Sequence, residues 1–316
     1  MKPIVYITRK LPDEAVKGLE DAYEVRMWQE EEQPVPRETL LEEARKASAL
    51  WTMLSDQIDR ELIEAAENLK IIANLAVGYN NIDLDAARDR GIAVTNTPDV
   101  LTETTADLTF ALLLATARRL VEAEKTVRSG DWKSWTPMGM TGQDVFGATL
   151  GIVGMGRIGE GVCRRASGFD MKVMYHNRSR RSLENVEYAE LDELLAKSDF
   201  VVILTPLTEE TKGMIGEREL ALMKETACLI NVARGGIVDE DALYEALKSK
   251  TIWGAGFDVF EKEPLPLDSK LLELDNLTVL PHIGSAGIRT RMKMMQLNAE
   301  AIGSCLGGQS IKNRVC

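Results

Sequence analysis

Histidine is nearly missing from this chain of 316 residues. There are two, His176 and His282, so any chemistry that needs an imidazole near neutral pH must use one of them. Cysteine is scarce as well. Cys163, Cys228, Cys305 and Cys316 make no CxxC pair and show no metal-ligand spacing, so neither a metal site nor a disulfide framework is expected. Cys163 and Cys228 lie in apolar contexts and read as small core residues. This usage is that of a reduced, cytoplasmic chain. Net positive charge is absent too. Fifty acidic residues against 38 Lys and Arg leave a formal charge of −12, which argues against nucleic acid as a partner. No run reaches the roughly 18 apolar residues of a membrane span. The first ten residues, MKPIVYITRK, lack the apolar region and cleavage site of a signal peptide. A membrane partner is not expected.

What is present is alternation. PIVYITR, EVRMWQ, SALWTML, KIIANLAVG and IAVTNTP read as strands, separated by charged segments with helical spacing. That pattern gives a mostly parallel sheet covered by helices. It stops near Pro98. From residue 102 a long helix is predicted through TETTADLTFALLLATARRLVEAEKTVRSG. Its LTFALLLA core is apolar on nearly all sides and must be buried, between domains or against another subunit. A second series follows: TLGIVGMG, KVMYHN, DFVVILTP, CLINVAR, WGAGFDV and LTVLPHIG, six strands. The last segment, RTRMKMMQLNAEAIGSCLGG, is one more helix with no sheet after it.

The first strand of the second series leads into GMGRIG at 154–159. In that setting the glycines have separate tasks. Gly154 makes the tight turn, Gly156 lets the backbone approach a pyrophosphate, and Gly159 lets the helix pack on the strand. Backbone N–H groups at Arg157 and Ile158 open the helix and face the anion. An NAD-binding unit should then show Asp or Glu at the end of the next strand, where it accepts from the ribose 2′-OH. Here HNRSRRS stands at 176–182. Asn177 removes the negative charge, Arg178 offers the opposite one, and Ser179 adds a hydroxyl. This substitution predicts NADP(H) as preferred cofactor, with NAD(H) possible. Arg180 and Arg181 are placed to add to that positive charge, with a solvated basic loop as the alternative for these two.

Three further strand ends carry chemistry. INVARGG places Arg234, GFDVFEKEP places Asp258, Glu261 and Glu263, and LPHIGSAG places His282. Ligands of open α/β sheets bind at such ends.

With NLAVGYNNIDLDAA at 74–87, these motifs resemble the D-isomer-specific 2-hydroxyacid dehydrogenase family over nearly the whole chain. Within it, the Asn-Arg-Ser pattern resembles the NADPH-preferring glyoxylate/hydroxypyruvate reductases. The resemblance implies two Rossmann-like domains with parallel sheets. The cofactor domain, residues 99–283, is inserted in the sequence of the substrate domain, residues 1–98 and 284–316. It implies reduction of a small 2-oxo acid such as glyoxylate or hydroxypyruvate to the 2-hydroxy acid, in a homodimer. His282 is then the proton donor, paired with Glu263, since a neighbouring carboxylate favours a charged, donating imidazole. Arg234 holds the substrate carboxylate and polarises the carbonyl, and the N–H groups of Val77 and Gly78 bind the same carboxylate. Thr205, Pro206, Val232, Ala233, Asp258 and Gly284 line the cofactor, with Asp258 on the nicotinamide amide. Met53 and Leu54 are candidates to face the substrate. Trp135 lies in an arm that either caps a neighbour's pocket or stabilises a dimer. Two rival functions stay open on these motifs: reduction of 2-ketogluconate or another 2-oxo acid, and nucleotide sensing of the co-repressor type.

Overall fold

The computed structural model describes residues 2–316. Two compact units divide the chain. One runs through Leu101 and resumes at Ala286; the other is Thr102–Ser285.

The first unit holds a five-stranded sheet of β1 (Ile4–Ile7), β2 (Glu24–Met27), β3 (Ala49–Thr52), β4 (Ile71–Asn74) and β5 (Ala93–Thr95). All pairs are parallel, in the order β2-β1-β3-β4-β5. β3, β4 and β5 are buried at every position, as strands covered on both faces must be. The helix that ends the sequence pattern, Ile288–Leu306, belongs here. Its Met295, Ala301 and Ile302 share a core with Val5, Ile7, Trp51, Ile71 and Ala73. Its buried Asn298 donates Nδ2 to the Ala73 carbonyl at 3.1 Å.

The second unit holds seven parallel strands: β6 (Thr149–Val153), β7 (Lys172–His176), β8 (Glu187–Tyr188), β9 (Phe200–Ile203), β10 (Cys228–Asn231), β11 (Gly254–Phe257) and β12 (Leu277–Val279). Their order is β12-β11-β10-β9-β6-β7-β8. The chain starts in the middle, runs to one edge, then crosses to the other. The reversal falls between β6 and β9, where doubly wound sheets open a ligand crevice. Six of these strands match the sequence pattern, and β8 is the addition. That strand has two residues, one of them exposed, so it carries no periodic signal.

The predicted long helix is two helices. Thr102–Ala117 ends where Arg119 turns left-handed (φ 51°), and Leu120–Arg128 follows. The later return of the chain explains the break. Gln143 donates its N–H to the Ala117 carbonyl at 2.8 Å, and the Arg119 guanidinium reaches the Thr141 carbonyl. The apolar stretch also needs no second subunit. Ala106, Phe110, Leu112, Leu113 and Ala117 are buried in their own unit with Leu150, Ile152, Phe200 and Ile230. Each large side chain buried there contributes about 1.5–3 kcal/mol. Glycine makes the contact close: a Cβ on Gly256 of β11 would lie 2.8 Å from Leu112 Cγ. Burial pushes the Cys228 thiol up to about 12, as befits a core cysteine.

Candidate active site

In the second unit every predicted site residue follows the carboxyl end of a strand. Residues 154–159 follow β6, Asn177, Arg178 and Ser179 follow β7, and Thr205 and Pro206 follow β9. Val232, Ala233 and Arg234 follow β10, Asp258 and Glu263 follow β11, and His282 and Gly284 follow β12.

The glycine loop behaves as its sequence requires. Gly154 has φ 104°, and a Cβ there would strike the Thr205 nitrogen at 2.4 Å, so β6 and β9 meet at the reversal point only through glycine. A Cβ on Gly159 would crowd the Gly154 carbonyl at 3.0 Å. On Gly156 it would meet no atom within 4 Å. Gly156 is therefore not required by the protein's own packing, and the space beside it suits a close-packed phosphate. The helix Arg157–Ala166 starts there with no side-chain cap, leaving its N-terminal dipole to an anion. These features fit a dinucleotide.

The loop after β7 is less uniform than its sequence. The Arg178 side chain is 88% exposed and lies 3.6 Å from Glu210. Ser179 is exposed. Arg180 stacks over the Tyr188 ring, 4.2 Å from its centroid, with Glu190 at 3.6 Å. Asn177 and Arg181 instead turn onto the glycine loop. Asn177 accepts from the Met155 N–H at 2.7 Å and donates to the Met155 carbonyl at 3.1 Å. Arg181 donates to that same carbonyl at 2.8 Å and pairs with Glu160 at 2.6 Å. A freely solvated loop is thus not the surroundings of Arg181. His176 ends β7 opposite Val153 of β6, and its Nδ1 lies 3.1 Å from the Ala189 carbonyl.

The candidate catalytic side chains come together. His282 Nδ1 is 2.7 Å from Glu263 Oε2, which leaves Nε2 as the ring nitrogen not held by the carboxylate. Glu263 Oε1 accepts from the Phe260 N–H at 3.0 Å. Burial pushes the Glu263 carboxyl up. The His282 hydrogen bond and charge, the Phe260 N–H and Arg234 outweigh it, so the group stays below the usual carboxylate value. Burial likewise lowers the Arg234 guanidinium, while Glu263 pulls it back. Arg234 Nη1 donates to the Ala233 carbonyl at 2.7 Å.

Backbone contacts hold these groups in register. His282 sits in the left-handed region at φ 54°, a conformation that costs about 1–3 kcal/mol unless the surroundings enforce it. Asp258 does so. Its carbonyl accepts from His282 N at 2.9 Å, and its two carboxylate oxygens accept from Ile283 N and Gly284 N, each at 2.8 Å. Burial raises the Asp258 carboxyl despite these donors and His282. The nicotinamide role foreseen for Asp258 therefore needs its remaining lone pairs, because its first task is to shape the histidine loop. Gly235 lies flat on the Phe260–Glu261 peptide, where a Cβ would fall 1.9 Å from the Phe260 carbonyl carbon.

Three supports escaped sequence reading. Asn231 is fully buried and braces the arginine turn, accepting from Ala233 N at 3.1 Å and donating to the Arg234 carbonyl at 3.0 Å. Glu240 accepts from Glu261 N at 2.6 Å, with its carboxyl raised by burial and then by the nearby acids. Arg181 is the third. A buried Asn closing an apolar strand was a usable signal for the first; nothing local marked the other two.

In the first unit, Val77 and Gly78 follow β4. The Asn74 amide fixes their loop by donating to the Gly78 carbonyl at 3.0 Å, and Asn96 reaches the Val77 carbonyl at 2.8 Å. Among the described residues, no acceptor is paired to the N–H of Val77 or Gly78. Leu54 is exposed and Met53 half-buried.

Comparison with known proteins agrees with this geometry. The family model described as "D-isomer specific 2-hydroxyacid dehydrogenase, NAD binding domain" matches residues 110–284. A glyoxylate reductase of Pyrococcus horikoshii is 52% identical, with 95% of this chain and 92% of that protein covered. A crystal structure of a Thermus thermophilus protein superposes with a TM-score of 0.94 at 45% identity, covering 99% of this chain and 100% of that one. An NADPH-dependent glyoxylate/hydroxypyruvate reductase of Sinorhizobium meliloti, solved with NADP and malonate, gives a TM-score of 0.88 at 32% identity, covering 100% and 97%. The chain belongs to the D-isomer-specific 2-hydroxyacid dehydrogenase family. It is an oxidoreductase of small 2-oxo and 2-hydroxy acids that uses a nicotinamide cofactor. No helix among the described residues is long and apolar enough to cross a membrane.

Proposed function

We propose that this enzyme reduces glyoxylate or hydroxypyruvate to the corresponding 2-hydroxy acid with NADPH. The observation that carries the reading is the His282–Glu263 pair at 2.7 Å, with Glu263 on a loop packed against the one that presents Arg234. Bound reduced nicotinamide supplies a hydride to C2 of the 2-oxo acid. The carbonyl oxygen then needs a proton, which His282 gives from Nε2 while Glu263 holds Nδ1. Arg234 binds the substrate carboxylate and stabilises the charge gathering on the carbonyl oxygen. On the unit built on β1–β5, the N–H groups of Val77 and Gly78 have no acceptor among the described residues and are assigned to carboxylate binding. Thr205, Pro206, Val232, Ala233 and Gly284 line the cofactor on the β6–β12 unit.

The NADPH preference rests on the loop after β7. It has no carboxylate at 176–182, and it holds out Arg178 and Ser179. The Sinorhizobium relative named for NADPH supports the same choice. A homodimer is part of the reading. Leu120, Val127, Trp132, Trp135, Met138 and Phe146 are each more than half exposed along one stretch of chain, an apolar surface suited to a second copy.

The test is kcat/KM for a panel of 2-oxo acids with NADPH and NADH in parallel, for wild type and Arg178→Ala. The variant should lose about ten- to a hundredfold with NADPH and little with NADH. A wild type that favours NADH defeats the cofactor assignment. Cofactor binding without turnover of any 2-oxo acid defeats the enzymatic one and favours nucleotide sensing.

A further inference from the structure

The basic loop after β7 has two parts with different work. Among the described residues, Arg178 and Arg180 make no hydrogen bond or ion pair with the glycine loop, and their carboxylate partners Glu210 and Glu190 lie at 3.6 Å. Asn177 and Arg181 turn inward and take up the backbone of one residue, Met155, the second residue of GMGRIG. Its N–H goes to Asn177 Oδ1 at 2.7 Å. Its carbonyl takes Asn177 Nδ2 at 3.1 Å and Arg181 Nη1 at 2.8 Å. Both lone pairs of that carbonyl are thereby used.

Arg181 is itself held from two sides. Glu160, in the first turn of the helix Arg157–Ala166, pairs with its Nη2 at 2.6 Å. Its own backbone is pinned by Tyr175 of β7. The Tyr175 hydroxyl accepts from Arg181 N at 2.8 Å and donates to the Arg181 carbonyl at 2.6 Å. Tyr175 is 1% exposed, so this anchor is part of the core. One arginine therefore ties β7, the glycine loop and the first turn of the following helix together. Those are the elements whose mutual placement shapes the phosphate cradle.

We propose that Arg181 is a positioning residue for the pyrophosphate cradle: with Asn177 it clamps Met155, and it sets the affinity for the dinucleotide without choosing between NADPH and NADH. This rests on the dinucleotide-binding reading of the site, but not on the NADPH preference. A residue that pairs with a 2′-phosphate acts on NADPH alone. A residue that holds the loop under the pyrophosphate acts on both cofactors, because both carry that group. Asn177 belongs to the same clamp. A carboxylate at 177 has no donor for the Met155 carbonyl, so it weakens the cradle even where it suits a ribose hydroxyl.

The experiment measures Kd for NADPH and for NADH by titration of protein fluorescence, with kcat and Tm alongside, in wild type, Arg181→Ala, Arg181→Lys, Glu160→Gln and Arg178→Ala. Arg181→Ala should weaken both cofactors by the same factor, about three- to tenfold for a half-exposed charged donor, with kcat at saturating cofactor unchanged. Arg181→Lys should recover part of the loss. Glu160→Gln should shift both affinities in the same direction but less, and combined with Arg181→Ala it should add little. Loss of NADPH affinity alone in Arg181→Ala makes it a phosphate ligand and overturns the proposal, as does unchanged affinity for both. If wild type prefers NADH while Arg181→Ala still weakens both equally, the NADPH reading fails and the clamp stands. Should Arg181→Ala fail to fold, Glu160→Gln and Arg181→Lys carry the comparison, and equal effects on the two cofactors remain the requirement.

Discussion

Replacing Gly235 by Ala tests whether the proposed catalytic pair is held by backbone packing. Gly235 follows Arg234 and rests on the Phe260–Glu261 peptide. A Cβ added there falls 1.9 Å from the Phe260 carbonyl carbon, 2.0 Å from its oxygen and 2.3 Å from the Glu261 nitrogen. All three are backbone atoms, so no side chain can swing aside. To regain ordinary van der Waals contact the two loops must separate by about 1.5 Å. One loop carries Arg234 and the other carries Glu263, whose 2.7 Å bond to His282 has a tolerance of only a few tenths of an ångström. A displacement of about 1 Å in a catalytic group costs on the order of a hundredfold in rate. Gly235→Ala should therefore lower kcat by about 10²-fold and destabilise the fold by about 1–3 kcal/mol, the usual cost of overpacking. Cofactor binding should persist at reduced affinity, since the glycine loop at 154–159 is untouched while Val232 and Ala233 share the displaced loop. The assay is steady-state reduction of glyoxylate at saturating cofactor, with thermal unfolding and cofactor titration on the same preparations. A folded, cofactor-binding Gly235→Ala enzyme with kcat within a few fold of wild type would refute the reasoning.

His282→Gln should lower turnover by about 10²–10⁴-fold while keeping cofactor affinity, and His176→Gln should stay close to wild type; the reverse ranking in a rate assay moves the acid to His176. Glu263 is depressed on folding, so it contributes stability at neutral pH that is lost as the pH falls through its folded value. Glu263→Gln should accordingly flatten the acid side of the Tm–pH curve between about pH 6 and 3, and an unaltered slope would remove the carboxylate from the account. Asn231→Ala leaves two backbone groups of the Arg234 turn without partners, so it should raise KM for the 2-oxo acid more than it lowers Tm; a change in Tm alone would make Asn231 only a core residue. Sedimentation should show a dimer that Trp135→Asp and Phe146→Asp together weaken, and a fully active wild-type monomer would exclude this surface as an interface.

Much of this enzyme was legible along the chain because its signals are local. Alternating apolar and charged segments specify strands and helices whatever surrounds them, which is why every strand but β8 was readable, together with the glycines of the reversal point. Gly154 needs a positive φ, and the chemistry proposed for Arg234, Glu263 and His282 needs those side-chain types, so each left a mark at its own position. The break at Arg119 left none, because it depends on residues 141–143 returning to the Ala117 carbonyl. β8 left none, because two residues become a strand only when β7 lies beside them. The work of each side chain in HNRSRRS was equally hidden. Neighbours of similar charge and polarity divide into an outward set and a clamp, according to which of them the core anchor at Tyr175 directs onto Met155. Residue type and spacing follow from the sequence directly. Which partner a polar group meets depends on strand order and loop packing, since hydrogen bonds act over about 3 Å and join residues that the chain itself keeps far apart.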